Sequence, residues 1–394
     1  MKENIRIYTL AVICFVISIS EFVIVGVLDT IADSVHVSVA AAGQLITVYS
    51  ASAAIGVPIA IIALSKWDRR KVLRFALGIV MVGNIFMFLS PNFPLLLIAR
   101  IVLSIGSGIF TITAMTVATK LVRAERQGSA IATINTGFSA ALILGLPLGR
   151  VLTAAFGWKV IFLGSAVFSL LMIIVVSMMI PRTKGEEVIP LGKQLSLLKS
   201  PHIIITLIIT FFWIAGYGIL YSYITPFLQG ITTMNGDMIS AALFVFGFAT
   251  LIGTKLGGYL GDHVGIKKSL IGSMVCHAVI LLLLTAISGS NIIAILLLAL
   301  WAIAAWATSP IQQVNILTTA PEASGVMLSL NNSFLQLGVT IGAGAGGIVM
   351  ENSIRALSLT GAVFVVIGIV LAFISFRIKS LQKNTCAIDS VEVQ

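Results

Sequence analysis

Gly257-Gly258-Tyr259-Leu260-Gly261-Asp262-His263-Val264-Gly265-Ile266-Lys267-Lys268 interrupts an otherwise apolar chain. A weaker echo, Leu64-Ser65-Lys66-Trp67-Asp68-Arg69-Arg70-Lys71, lies 196 positions earlier. One short basic loop that occurs twice, half a chain apart, predicts two similar membrane bundles joined end to end. That arrangement suits a protein that moves a solute.

Working outward from the loop, 58% of the 394 residues are hydrophobic and 10% are charged. A soluble chain carries about a quarter charged residues. Apolar runs of about twenty residues recur throughout, each long enough to cross a hydrocarbon core of about 30 Å. The net charge of +10 sits in short loops between the runs, so it sets orientation in the bilayer and implies no nucleic-acid partner. Cys14, Cys276 and Cys386 have no metal-site or disulfide spacing. No P-loop, HExxH or His/Cys ligand cluster is present, so the sequence predicts no enzyme, no metal and no cofactor. The first apolar run continues past Glu21 without a small-residue cleavage site, and reads as a retained span.

Twelve spans are predicted, over residues 7–29, 40–64, 73–91, 94–119, 129–151, 158–180, 202–228, 238–260, 269–288, 291–317, 323–349 and 356–377. They must be helical, because backbone polar groups in lipid are satisfied within the segment. A barrel would need alternating strands of about ten residues, and these runs are continuous. Of the 24 lysines and arginines, 20 fall in the loops, or at the adjoining span ends, on one side of the alternation; Arg150, Lys159 and Arg355 fall on the other, and Arg100 lies inside a span. The basic side is expected to be cytoplasmic, with both termini there. The repeat extends beyond the loops: Arg126-Gln127-Gly128-Ser129-Ala130 is echoed by Ala323-Ser324-Gly325-Val326-Met327, and Gly149 by Gly346. The expected organisation is an N-terminal six-helix bundle (1–180), a cytoplasmic linker (181–201), a C-terminal six-helix bundle (202–380) and a cytoplasmic tail (381–394), disordered from Asn384 on.

Charged residues inside a span mark function. Glu21 lies about 21 Å from the start of span one and Arg100 about 9 Å from the start of span four, which runs the other way. In a core of about 30 Å these are equal depths. Carboxylate and guanidinium are therefore expected to pair, either to exchange a proton or to fix packing. Tyr217 and Tyr221, four apart, share a helix face. Carboxamides punctuate other spans: Gln44, Asn135, Gln312, Gln313, Asn331 and Asn332. Together these groups suit a flat, neutral, hydrogen-bonding solute, although any one of them also reads as helix–helix glue. His277 reads as a packing residue.

The pattern Gly258-x-x-x-Asp262-x-x-Gly265-x-Lys267-Lys268 resembles a signature of the major facilitator superfamily, and the resemblance covers essentially the whole chain. It implies an all-α membrane protein of twelve transmembrane helices in two six-helix bundles, with spans one and four lining a central cavity. It also implies that this loop is a latch closing one access state. In the first copy Lys66 replaces the acid and Arg69 the second glycine, which leaves Asp68 as the substitute. The stretch beginning at Arg100 resembles the family's span-four arginine motif, with Leu103 and Ser104 in place of glutamine and glycine. Gly137, Gly145, Pro147 and Gly149 resemble its antiporter motif, with Leu146 inserted; Phe156-Gly157-Trp158-Lys159 resembles its turn into span six.

The drug/proton antiporter branch is the most similar, and within it bacterial purine efflux pumps and arabinose-type sugar efflux permeases. The likeness rests on Ser20-Glu21-Phe22-Val23, Ala42-Gly43-Gln44-Leu45-Ile46, Ser90-Pro91-Asn92-Phe93, Gly216-Tyr217-x-x-Leu220-Tyr221-x-Tyr223, Pro310-x-Gln312-Gln313 and Ala320-Pro321-Glu322. It implies a monomeric, proton-coupled efflux transporter that exports a small organic solute across the plasma membrane. Two alternatives stay open: a uniporter or proton-coupled importer of a sugar or nucleobase-like solute, and a membrane sensor that binds without transporting.

Overall fold

The computed structural model describes residues 2–123, 127–182, 197–287, 289–320 and 324–392. Most of the expected linker lies outside them. Among the described residues there are fourteen α-helices and no strand. Twelve of the helices are long and apolar enough to cross a membrane. The spans, numbered in chain order, are the helices Lys2–Gly26, Val39–Ala63, Arg69–Leu89, Phe93–Lys120, Gln127–Phe156 and Lys159–Met179, then Pro201–Tyr221, Gly236–His263, Ile266–Ala286, Asn291–Leu317, Ser324–Asn352 and Ala356–Glu392. Their starts are set by side-chain caps, which satisfy orphan helix-end amides. Ser38, Asp68, Asn92 and Asn235 accept from the backbone N–H three residues on, at 2.9–3.2 Å.

Two expectations change. The last helix runs to Glu392, where a disordered tail was expected; no glycine or proline interrupts residues 378–392, and the helix continues. Spans one and seven are each followed by a short second helix, Leu28–Ser34 and Ile224–Ile231, instead of running on unbroken. In span seven the cause is Pro226. Its ring cannot donate to Ser222 and clashes with that carbonyl, so the helix breaks at Ser222–Tyr223. In span one the Gly26 carbonyl loses its helical partner: the Thr30 amide turns to Asp29 Oδ1 at 2.9 Å, and Arg150 Nη1 donates to the carbonyl instead, at 3.1 Å.

Helix packing repeats between the halves. Span one packs on span five as seven packs on eleven, three on six as nine on twelve, and two on four as eight on ten. The halves meet where span two packs on eleven and five on eight. Small residues allow these approaches. A Cβ at Gly137 would collide with the Ala11 carbonyl, and one at Gly342 would lie 2.6 Å from the Ala215 carbonyl. Outside, large apolar side chains such as Leu170, Met178, Ile292 and Phe373 are exposed all round, as in a protein solvated by lipid.

With an even number of spans, the two described ends share one face, called here the terminal face. On the opposite, far face the two short helices meet: Thr225 Oγ1 donates to the Val25 carbonyl at 3.3 Å and Gln229 Nε2 to Asp29 Oδ2 at 2.8 Å.

Candidate functional site

Span four starts at the Asn92 cap and carries Arg100 two turns inside the far face. The arginine is 1% exposed. Nε donates to the Leu45 carbonyl of span two at 3.1 Å, and Nη1 to the Ser20 carbonyl of span one at 3.0 Å. Its guanidinium lies 4.1 Å above the centre of the Tyr49 ring, a cation–π contact. The Tyr49 hydroxyl donates to Glu21 Oε2 at 3.2 Å, and Ser104 Oγ donates to the Tyr49 carbonyl at 2.6 Å. Ser20 Oγ donates to Ser165 Oγ of span six at 3.0 Å.

Glu21 and Arg100 are thus brought together at one level, as their depths predict, but not as a direct ion pair. Tyr49 stands between them, bonded to the acid through its hydroxyl and to the base through its ring. The single tyrosine of an apolar span two, one turn after Leu45, was the sequence signal for it. Arg100 is spent on two carbonyls and a ring, so the half-buried Glu21 is the member of the pair that stays partly accessible. Leu103, where the family motif has glutamine, is buried against Gly83 of span three.

The second half holds an aromatic cluster where the first holds charges. Tyr217 stacks on Tyr221 (centroids 4.9 Å) and on Trp301 (5.2 Å), and Phe246 closes the ring against Tyr221 (5.9 Å) and Trp301 (5.4 Å). Trp306 Nε1 donates to the Tyr217 hydroxyl at 3.3 Å. The Tyr221 hydroxyl, Trp301 Nε1 and both nitrogens of the fully buried His277 have no hydrogen-bond partner among the described residues.

The carboxamides divide. Gln312 and Asn331 are buried and committed. Gln312 Nε2 donates to the Thr206 carbonyl (2.8 Å) and to Thr210 Oγ1 (3.0 Å), and Thr210 Oγ1 donates to Asn331 Oδ1 (2.8 Å). Asn315 Nδ2 completes the network on Gln312 Oε1 at 3.2 Å. This network ties span seven to spans ten and eleven. Gln44 is half-buried, while Asn135, Gln313 and Asn332 are exposed.

The glycines of span five form a stripe on span one, the helix that carries Glu21. A Cβ at Gly137 or Gly149 would meet Ala11 or Val23, and one at Gly145 would lie 3.3 Å from the Cβ of Phe22. Pro147 lies buried inside the helix. In the loop after span eight, Gly265 has φ +91°, a conformation that favours glycine. Asp262, Lys267 and Lys268 are exposed, and Asp262 has no bond to a described residue. Gly258 faces open space; the close approach to span ten is made by Gly253 and Gly257. The turn into span six does carry interactions. Gly157 has φ +80°, Trp158 Nε1 donates to Ser34 Oγ at 3.1 Å, and Lys159 Nζ donates to the Ser90 carbonyl at 2.8 Å.

Comparison with known proteins agrees with this architecture. The Major Facilitator Superfamily profile matches residues 10–232 and 206–385. The chain is 40% identical over 378 residues to the uncharacterized MFS-type transporter YbcL of Bacillus subtilis (strain 168), covering 96% of this chain and 97% of that one. It is 31% identical over 379 residues to the inner membrane transport protein YdhP of Escherichia coli (strain K12), covering 96% and 97%. Among solved structures, a D-xylose-proton symporter superposes with a TM-score of 0.75 at 17% identity, covering 94% and 95% of the two chains. A bacterial homolog of the human lysosomal transporter Spinster, inward-facing and unoccupied, gives 0.74 at 18%, covering 95% and 97%. These two likenesses concern the fold alone. The twelve-span architecture and the full-length matches place this chain in the Major Facilitator Superfamily: it is a multi-pass membrane transporter and not an enzyme.

Proposed function

We propose that the protein is a proton-coupled exporter of a small, flat, neutral organic solute across the plasma membrane. The terminal face, which holds most of the lysines and arginines, is read as cytoplasmic. The observation that carries the proposal is the Glu21–Tyr49–Arg100 unit, with one half-buried carboxylate.

The chemistry follows from the bonds. A hydrogen bond to an ionised acceptor is roughly twice as strong as one to a neutral acceptor. Protonating Glu21 weakens its hold on Tyr49, and so leaves the Arg100–Ser20 bond as the remaining polar tie of span one to the unit of spans two and four. Arg100 stays fixed by the Leu45 and Ser20 carbonyls and keeps a positive charge beside the acid whatever its protonation state. The aromatic cluster of Tyr217, Tyr221 and Trp301 offers π faces and unmet hydrogen-bonding groups to a solute on the other side of the seam. Gln44, Asn135, Gln313 and Asn332 are the carboxamides left free for further contacts. Residues 1–180 and 202–380 rock as two bodies about this level.

In the conformation described, the short helices close the far face while Asp262 in the basic loop has no partner among the described residues. This is read as the state open to the cytoplasm. The Asp262–Lys268 loop then latches the opposite state.

The test is transport in inverted vesicles. An acidified lumen drives solute inward, and Glu21→Gln abolishes the drive while leaving exchange of labelled for unlabelled solute. Accumulation that persists after the proton gradient is collapsed refutes proton coupling. Solute movement down its own gradient alone identifies the protein as a uniporter.

A further inference from the structure

Among the described residues, the far-face seam contains one charged group that bonds across the halves. Asp29 opens the short helix after span one, and its Oδ2 accepts from Gln229 Nε2 at 2.8 Å, across the seam. The same oxygen lies 3.6 Å from Arg150 Nη1, on span five of its own half. That nitrogen also donates to the Gly26 carbonyl at the helix break, at 3.1 Å. Arg150 therefore stabilises the break and aims the carboxylate in one stroke. The short helix is held from behind as well, by Trp158 Nε1 on Ser34 Oγ. Beside the clasp, Thr225 Oγ1 reaches the Val25 carbonyl at 3.3 Å. The Tyr223 hydroxyl donates to the Ala343 carbonyl at 3.0 Å, wedged where Gly43 and Gly347 leave no side chain. The Asp29 and Arg150 side chains are 20% and 15% exposed, so the pair is shielded yet close to water.

The two sides of this seam differ in kind. Thr225 and Tyr223 make neutral bonds to backbone, which are modest. The Asp29–Gln229 bond is charge-assisted, it crosses between the bodies, and it lies at the outer rim, where leverage on opening is greatest. From this geometry we propose that Asp29 is the gating residue of the far face. Its carboxylate, aimed by Arg150, clasps Gln229 and sets how readily the two halves part on that side. Arg150 and Trp158 are positioning residues: they hold the short helix in register and do not themselves cross the seam. The inference needs only that the two halves separate on this face, and stands apart from the proton-coupling proposal.

Spin labels at Asp33→Cys and Asp237→Cys, exposed far-face positions in opposite halves, test it by double electron–electron resonance in nanodiscs. Cys14, Cys276 and Cys386 are replaced by serine or alanine. The parent should show a dominant short distance. Asp29→Ala and Gln229→Ala should each raise the long-distance population at least threefold, and the double variant should do no more than either single one. Arg150→Leu should give part of the effect. Unchanged distances in both single variants, or additive effects in the double variant, overturn the proposal. A second readout guards against damage to the fold: Val25→Cys, buried at the seam, should react faster with a membrane-impermeant maleimide when Asp29 is alanine, while the elution profile stays monodisperse. An equal rate in the two backgrounds overturns it as well.

Discussion

At the scale of single residues, the decisive arrangement is a tyrosine between an acid and a base. Glu21 and Arg100 lie at equal depth because their helices run in opposite directions, but span two brings Tyr49 into the gap. Tyr49→Phe keeps the ring under the guanidinium and removes the hydroxyl from Glu21. A hydrogen bond to a charged group is worth about 1.5–3 kcal/mol. The expected result is a folded protein whose transport rate shifts its pH midpoint by about a unit or more, measured as uptake against pH in proteoliposomes. Glu21→Gln is expected to lower proton-driven accumulation at least tenfold with exchange preserved. Arg100→Lys keeps the charge but cannot reach two carbonyls in a fork, and should destabilise by several kcal/mol in thermal unfolding because Arg100 is 1% exposed.

Between elements, close helix contact depends on where a missing side chain is needed. Gly137, Gly257 and Gly342 sit against backbone carbonyls, whereas Gly258 faces open space. Overpacking a tight contact costs about 1–3 kcal/mol. Gly137→Ala and Gly257→Ala should each lower the unfolding temperature in detergent by several degrees, and Gly258→Ala should leave it within a degree or so. Equal effects at Gly257 and Gly258 would show that the packing of spans eight and ten differs from that described. The sequence motif alone does not separate these glycines, because adjacent residues on a helix point 100° apart and only the neighbour decides which one is crowded.

For the whole molecule, the halves join on the far face, and among the described residues Asp262 of the basic loop is left unengaged. Asp262, the proposed latch residue, is exposed and has no partner among the described residues. Asp262→Asn should therefore leave thermal stability of this state unchanged within about 0.5 kcal/mol, as for exposed surface sites. It should still slow net transport several-fold, because the opposite state loses its latch. Unchanged transport would remove the latch role from this loop.

Apolar run length, the repeated glycine loop and the placement of lysines and arginines determined the twelve spans and the twofold repeat, since lipid admits little other than continuous helices. The equal depth of Glu21 and Arg100 was legible too, because rise per residue is fixed. Rotation about each helix axis was not, and rotation decides what a side chain meets. Only the tertiary structure placed Tyr49 between acid and base and bound Gln312 and Asn331 into a network between helices. It alone gave the Gly26 carbonyl to Arg150 at the break after span one and handed Asp29 to Gln229, whereas Pro226 marks the break in span seven locally. Those contacts join residues up to two hundred positions apart, and no local pattern in the chain encodes which helices become neighbours.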